Sequence, residues 1–180
     1  MVTEKETNLL ELFTQAAREV LAEVEIIKRT PAELNIALTR ITEKEEKVFL
    51  SEPNDIDPEL FSLFKQNSNV ITKPTKEELS NIITGVTDAF CGVAKTGSVC
   101  VTINNNMNSP ASMLTRSHIV VVDSKTIVLR PKDVFSEQHL NGEGLKRSFS
   151  FITGPSATAD MGPLVRGVHG PGELYIIILE

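Results

Sequence analysis

The chain has 180 residues, and 18 Lys and Arg side chains against 24 Asp and Glu give it a formal net charge of −6. Hydrophobic residues make up 41% and charged residues 23% of the chain, which is typical of one globular domain with a sizeable core. No stretch approaches the roughly 20 apolar residues of a membrane span. The polar, acidic opening MVTEKETN is unlike a leader peptide. These features argue against a membrane span and predict a cytoplasmic protein.

The excess acidity lies at one end of the chain. Residues 1–80 carry 10 basic and 16 acidic side chains, so the last hundred residues are neutral. No basic stripe is available for a phosphate backbone, which argues against nucleic acid as a partner. The two cysteines, Cys91 and Cys100, are too few to complete a zinc or iron–sulfur site. We therefore predict that this chain holds no metal and no cofactor of its own.

Two amphipathic helices are predicted at the N-terminus. Apolar residues recur at three- and four-residue spacing from Asn8 to Ile27, which predicts one long helix. Thr30 and Pro31 then supply an N-cap and a first helical residue, and Glu33 is placed to close a capping box. Residues 1–46 are therefore predicted to be an acidic helical segment.

Short strands and capped helices alternate in the next part of the chain. Val48–Leu50 and Val70–Ile71 are brief apolar runs, whereas residues 57–65 and the segment opening at Thr75 carry helix-start signals. Such an alternation predicts βαβ units and a mainly parallel sheet.

Further strands follow, with one antiparallel pair among them. Residues 88–94 and 98–103 are joined by so short a turn that they must pair antiparallel. The β-branched run from His118 to Val122 predicts a strand buried on both faces of a sheet. A helix is predicted at 131–140. Core strands are predicted at 148–152 and 174–179. The sequence thus favours one α/β domain with helices over a mixed, mainly parallel sheet.

The segment Gly154–Asp160 contains the first candidate ligand-binding residues. It follows a predicted buried strand, and open α/β sheets bind ligands where their strands end. Gly154 would let the backbone approach a ligand, while Ser156 and Thr158 would cap a turn whose N–H groups attract an anion. Asp160 closes the segment. A capped helix start without a ligand is the alternative.

Arg166, His169 and Gly170 lie in a second glycine-rich loop a few residues later. If this loop folds beside Ser156, Arg166 and His169 can receive an anion, with His169 as the candidate catalytic proton carrier. The alternative is a tight entry into the last strand with a solvated Arg166. The turn formed by Lys95, Thr96, Gly97 and Ser98 is a third candidate, because it combines a cation with two hydroxyls; the alternative there is a simple hairpin connection.

Three blocks of sequence resemble a known family. The blocks are Gly85–Ser98, Leu114–Val122 and the pair Ile152–Asp160 with Gly167–Leu174. They resemble the lactate-utilisation protein C family, the single-domain LUD proteins. The resemblance implies one LUD-type domain over residues 1–180, with residues 47–180 as its α/β core.

The resemblance also implies a three-layer fold like that of ribose-5-phosphate isomerases, glucosamine-phosphate deaminases and CoA transferases. It implies a role in oxidising L-lactate to pyruvate beside partner proteins that carry the iron–sulfur centres.

Two departures from the family pattern affect the candidate site. The family usually has a glutamate where this chain has Lys95, and a lysine cannot serve as the carboxylate nucleophile of a CoA transferase. Lys95 can still hold an anion by charge. Gly162 and Pro163 interrupt the turn after Asp160, which weakens the expected anion site there.

Three functions are compatible with this pattern. The first is a cytoplasmic component of a lactate-oxidising system that binds a small organic anion or a partner protein and does not catalyse alone. The second is an independent enzyme acting on a phosphorylated or thioester substrate, with Ser156 and Thr158 as its phosphate cradle. The third is a sensor domain that docks a partner through its acidic N-terminal helices.

Overall fold

The computed structural model describes residues 4–103, 107–136, 148–160 and 162–180. The strands in chain order are β1 (Glu23–Ile27), β2 (Val48–Leu50), β3 (Val70–Ile71), β4 (Thr84–Ala89), β5 (Cys91–Val93), β6 (Ser98–Thr102), β7 (Ser117–Asp123), β8 (Phe149–Ile152), β9 (Ala157–Thr158), β10 (Val165–Arg166) and β11 (Glu173–Leu179). The α-helices are α1 (Glu4–Glu19), α2 (Pro31–Ile41), α3 (Lys76–Asn81) and α4 (Asn108–Met113). Short 3-10 helices occur at Pro58–Phe61, Phe64–Gln66, Ser124–Thr126 and Pro131–Phe135.

A parallel sheet forms the centre of the molecule. Within the described ranges, six strands pair in the order β1-β11-β7-β4-β2-β3, and every neighbouring pair is parallel. Two smaller antiparallel sheets, β5-β6-β8 and β9-β10, accompany it. This arrangement confirms the predicted α/β fold with a mainly parallel sheet.

Both faces of the central sheet are covered, which makes three layers. On one face, Val86 and Ile119 pack with α2 and the 3-10 helices that follow β2. On the other, Val120 and Ile178 pack with α1 and with β6 of the small sheet. All seven residues of β7 are buried, as its β-branched sequence predicts.

The N-terminal segment differs from its prediction. The first helix ends at Glu19, Leu21 has a φ of 68°, and residues 23–27 form the edge strand β1. The predicted helix to Ile27 is therefore wrong, and residues 1–46 are not wholly helical. Strand pairing explains the difference, because β1 runs parallel to β11 over five residue pairs and such pairing overrides a local helical pattern.

In the middle of the chain the predicted hairpin is confirmed, but its predicted first strand, residues 88–94, is divided between β4 and β5. Asp88 and Ala89 end β4 in the parallel sheet, and after Phe90 the chain enters β5, which pairs antiparallel with β6. The predicted helix start at Thr75 is confirmed, with a complete capping box to Glu78. The segment predicted as a helix at 57–65 forms two 3-10 helices instead.

The strand before the candidate loop was predicted to lie in the core, and this is wrong. β8 is half-exposed and lies at the edge of the small antiparallel sheet, next to β6. The rings of Phe149 and Phe151 meet edge to face there, with ring centroids 5.4 Å apart. A helix was predicted at 131–140. The structure has a 3-10 helix at Pro131–Phe135, and residues 137–147 lie outside the described ranges.

Among the described residues, no helix is long and apolar enough to cross a membrane.

Candidate functional site

The two glycine-rich loops predicted to carry the site fold against each other. The backbone N–H of Ser156 donates to Pro171 O at 2.7 Å, and Gly167 N–H donates to Ser156 O at 2.8 Å. The N–H of His169 donates to the Ser156 hydroxyl at 3.3 Å. In the short hairpin β9-β10, Arg166 lies opposite Ala157. The structure therefore brings Ser156, Arg166 and His169 into one cluster.

The backbone around Ser156 does not form the predicted anion-binding turn. Residues 157–158 form a strand rather than the first turn of a helix, and the Ser156 N–H already donates to Pro171. Thr158 lies opposite Val165 in the hairpin. The predicted helix start at this segment is therefore wrong, while the role of Ser156 and Thr158 in binding an anion stays a prediction. The bond from Ser156 N–H to Pro171 and the pairing of Ala157 and Thr158 with β10 replace the open first turn of a helix.

Gly154 makes a close contact with the chain just after α1. Its φ is +67°, and a Cβ added to it would lie 2.2 Å from the carbonyl oxygen of Val20, just after α1. Asp160 is exposed beyond the hairpin strand, and its N–H lies 3.5 Å from the Thr158 hydroxyl. Neither residue lines the groove described next.

Arg166, His169 and Gly170 line an open groove of about 990 Å³. Arg116, which the sequence did not single out, is a second arginine that lines the groove, and Glu45 and Glu173 line it as well. Exposed apolar side chains that also line the groove are Ile83, Met113, Leu114 and Val168. Arg116 directly precedes β7, and that position is the only sequence signal that pointed to it.

The groove lies at the opposite edge of the sheet from the one predicted. Its lining residues Ile83, Arg116 and Gly172 each directly precede a strand of the central sheet, respectively β4, β7 and β11. The groove therefore opens at the amino ends of the parallel strands. The prediction placed the site at carboxyl ends because it assigned residues 148–152 to the core of the same sheet.

The turn between β5 and β6 is a packing contact, separate from the groove. A Cβ on Gly97, whose φ is +62°, would lie 2.3 Å from the backbone N of Ala17 in α1. The Ser98 hydroxyl lies 2.7 Å from those of Thr96 and Thr153. Lys95 is exposed, and no residue of the turn lines the groove. Lys95 therefore does not share the groove with His169.

A buried carboxyl group that sequence reasoning missed lies at the carboxyl edge of the sheet. Asp88 ends β4 and is 2% exposed. Its Oδ2 accepts the N–H groups of Asn54, Asp55 and Ile56 at 2.6–2.9 Å, whereas Oδ1 has no hydrogen-bond partner among the described residues. Burial raises the pKa of Asp88 from 3.8 to about 6, although the N–H groups of Ile56 and Asn54 lower it.

His118 is a second buried titratable group. It lies on β7 with no solvent exposure, and its Nε2 is 2.8 Å from the hydroxyl of Thr87 on β4. Nδ1 has no partner among the residues described. Burial lowers the pKa of His118 from 6.5 to about 3, so the ring is neutral at physiological pH. This burial agrees with the prediction of a buried strand that begins at His118.

Comparisons with known proteins identify a family that this chain matches. A family model described as LUD domain matches residues 2–179. A "Lactate utilization protein C" from Halalkalibacterium halodurans is 36% identical over 100 residues, which cover 53% of this chain and 44% of the relative. A protein of the same name from Bacillus subtilis is 31% identical over 109 residues, covering 58% of this chain and 45% of the relative. The matched segments thus span less than half the length of these relatives.

A solved structure agrees with the fold. A "duf162 family protein" from Deinococcus radiodurans superposes with a TM-score of 0.73 at 18% identity, covering 100% of both chains. At that identity the likeness concerns the fold alone.

Proposed function

The chain belongs to the LUD domain family, and on that premise we propose that it is a cytoplasmic component of an L-lactate utilisation system. The relatives named lactate utilization protein C support this proposal. In it, residues 1–180 act as one LUD-type domain that binds a small organic anion. Oxidation of L-lactate to pyruvate releases two electrons and two protons, and the proposal assigns the electrons to iron–sulfur partner proteins.

The observation that carries the anion-binding part of the proposal is that two arginines line one groove. Arg116 and Arg166 line it together with His169. A guanidinium holds a carboxylate through two parallel N–H bonds, and the exposed apolar side chains of Ile83 and Leu114 suit the methyl group of a small 2-hydroxy or 2-oxo acid. The His169 imidazole would then donate to the hydroxyl or carbonyl oxygen.

Ser156 has a positioning role in this proposal. Its hydroxyl accepts the N–H of His169, and its backbone bonds join the two loops. A Ser156→Ala variant loses the first contact and keeps the second. It should therefore weaken binding less than the loss of a guanidinium does.

Binding of L-lactate and pyruvate to the purified chain tests the groove. We expect saturable binding by isothermal titration calorimetry, and Arg166→Gln should weaken it about tenfold or more, as loss of a hydrogen bond to a charged group does. Lys132→Gln is the matched control, because Lys132 is an exposed cation that does not line the groove. Equal affinity in wild type and the Arg166 variant contradicts the assignment of the groove.

The partner part of the proposal has its own test. Affinity purification of the tagged chain from its native host during growth on L-lactate should recover proteins that carry iron–sulfur centres, detected by their visible absorption. Deleting the chain should slow growth on L-lactate but not on glucose. Normal growth of the deletion strain on L-lactate contradicts the proposed role even if an anion binds in the groove.

A further inference from the structure

A second cavity, the acidic pocket, lies beside the groove. It has a volume of about 740 Å³ and is bounded by the amino ends of the central strands and by the end of α2, and its size is in the range of sites that hold small molecules. It shares Glu45, Ser117 and Glu173 with the groove, whereas Arg116 and Arg166 do not line it. The carboxylate residues that line it are Glu23, Glu25, Glu43, Glu45 and Glu173.

Negative charge dominates the acidic pocket. Among the described residues that line it, Arg40 and Lys44 are the cations, and Arg40 is already paired with Glu25. The other four glutamates therefore face one lysine. No group of three or more His, Cys, Asp or Glu side chains in the described part of the chain could hold a metal ion. The dispersed carboxylates thus favour an organic cation over a metal ion.

Two buried hydroxyl groups line the same pocket. Thr84 is 2% exposed and Ser117 is 6% exposed, and neither hydroxyl has a hydrogen-bond partner among the described residues. The fully enclosed side-chain atoms that lack such a partner belong to Asp88 and His118, so the oxygens of Thr84 and Ser117 are reachable from the pocket. A buried hydroxyl without a partner is costly, and a ligand that bonds to both hydroxyls accounts for them.

The strand register places these hydroxyls in one row with a carboxylate. Thr84 lies opposite Ser117, and Ser117 lies opposite Glu173. The first residues of β4, β7 and β11 are therefore neighbours on one face of the sheet, with about 4.8 Å between adjacent strands. A primary ammonium group has three N–H donors. Placed above Ser117, it can donate to both hydroxyls and to the Glu173 carboxylate.

A second row of polar side chains lies two residues further along the strands. Tyr175 follows Glu173 by two residues on β11 and lies opposite Glu23 on β1. Burial, together with the charges of Glu23, Glu173 and Glu45, raises the pKa of Tyr175, which agrees with a phenol surrounded by these carboxylates. Two residues of a strand separate the rows by roughly 7 Å. A second ammonium group at that distance can pair with Glu23 and lie against the Tyr175 ring.

We propose that the acidic pocket binds an aliphatic diamine or polyamine, with one ammonium group on Thr84, Ser117 and Glu173 and the next beside Glu23 and Tyr175. The separation of roughly 7 Å between the rows suits ammonium groups joined by about four or five methylene groups. Four of the five lining glutamates belong to the first 80 residues, so this site gives a use to part of their surplus charge. It does not depend on the proposed role in lactate utilisation.

Titration calorimetry of the full chain with putrescine, cadaverine and spermidine at physiological ionic strength tests the proposal. We expect saturable binding of at least one of them, tighter than that of butylamine, whose single ammonium group cannot occupy both rows. Magnesium chloride forms a further arm, which tests a metal ion. Absence of saturable binding for all three amines overturns the proposal, as does binding of butylamine or magnesium that is as tight as that of the best amine.

Thr84→Val makes the test specific, because valine is close to threonine in shape and lacks the hydroxyl. Affinity for the best amine should fall about tenfold or more, as loss of a hydrogen bond to a charged group does. The free energy of unfolding of the ligand-free protein should not fall, since the hydroxyl that is removed has no partner. A purely structural role of Thr84 would give the opposite pattern. Equal amine affinity in wild type and Thr84→Val overturns the proposal.

Glu23→Gln tests the second row and decides the matter if Thr84→Val does not fold, because Glu23 is exposed. It should weaken binding of the best amine about threefold, as loss of an exposed ion pair does. Glu33→Gln is the matched control, since Glu33 is an exposed glutamate of α2 that does not line the pocket. Equal effects of the two variants overturn the proposal, because they indicate general attraction to an acidic surface.

Failure of this site and failure of the lactate proposal are distinguishable. Thr84→Val should leave L-lactate binding in the groove unchanged, and Arg166→Gln should not weaken amine binding. A single one of these variants that abolishes both would contradict the separation of the two sites.

Discussion

His118 makes the stability of the protein depend on pH in a way that can be calculated. Its pKa is about 3 in the folded chain, where burial disfavours the charged ring, and about 6.5 when unfolded. Because the folded-state pKa is the lower one, burial of the neutral His118 ring costs no stability well above pH 6.5. As the pH falls toward 3, protonation of the ring in the unfolded chain progressively lowers the free energy of unfolding. Between pH 7 and pH 5 the loss is about 2 kcal/mol in the free energy of unfolding.

Replacement of His118 by Gln removes the titrating group and retains a carboxamide that can bond to Thr87. The assay is urea unfolding at pH 7, 6 and 5, followed by far-UV circular dichroism because the chain has no Trp and one Tyr. The wild type should lose about 2 kcal/mol more than the variant between pH 7 and pH 5. His169→Gln, which changes an exposed histidine, should keep the wild-type slope. Parallel pH profiles for wild type and His118→Gln refute the reasoning.

Asp88 acts on the pH dependence of stability in the opposite direction to His118. Its pKa is raised to about 6 in the folded chain against an ordinary 3.8, so its stabilising contribution is complete below pH 3.8 and is lost as the pH rises through 6. Between pH 7 and pH 5 the folded state gains about 1 kcal/mol from Asp88. Asp88→Asn should therefore steepen the acid-induced loss of stability by about that amount, measured by the same urea series. If the free energy of unfolding depends on pH equally in Asp88→Asn and in the wild type, the assignment of a raised pKa to Asp88 is contradicted.

Two further predictions concern buried contacts. Gly154→Ala and Gly97→Ala should each destabilise the fold by about 2 to 5 kcal/mol, because each combines a left-handed φ with a backbone collision. Gly167→Ala, whose φ is +78° but whose nearest neighbouring atoms lie 3.5 Å away, should cost only about 1 kcal/mol, and equal losses in urea unfolding would contradict the packing argument. Cys91 and Cys100 are both buried, and the neighbouring Cys100 together with burial raises the pKa of the Cys91 thiol. Neither should react with a thiol reagent such as DTNB in the native protein, both should react in urea, and rapid native labelling would contradict their burial.

Local patterns were sufficient for the elements whose environment is set by their own residues. The β-branched run at 118–122 predicted β7 because a strand covered on both faces must be apolar at successive positions. Thr75 predicted a helix start because its hydroxyl and the Glu78 carboxylate satisfy each other's backbone N–H groups. The hairpin β5-β6 was predictable because a short turn permits only antiparallel pairing.

The candidate site was predictable in part. The short separation of the two loops along the chain made their contact a reasonable expectation, and Ser156 does bond to His169 and Pro171. The function of the glycines was not predictable, because Gly97 and Gly154 are required by contacts with α1 and the residues just after it, at distant positions in the sequence. A glycine that approaches a ligand and one that approaches a helix look the same in sequence.

What the sequence determined by itself was the α/β class, the buried strands β7 and β11, the helix starts at Thr30 and Thr75 and the location of the surplus negative charge in the first 80 residues. Tertiary structure alone decided that residues 23–27 pair with β11, that the Arg166 and His169 groove opens at the amino ends of the strands, and that Asp88 meets the segment after β2. The physical reason is the range of the interactions. Caps and hydrophobic runs act within a few residues, whereas strand order joins segments far apart in the chain and fixes which side chains share an edge.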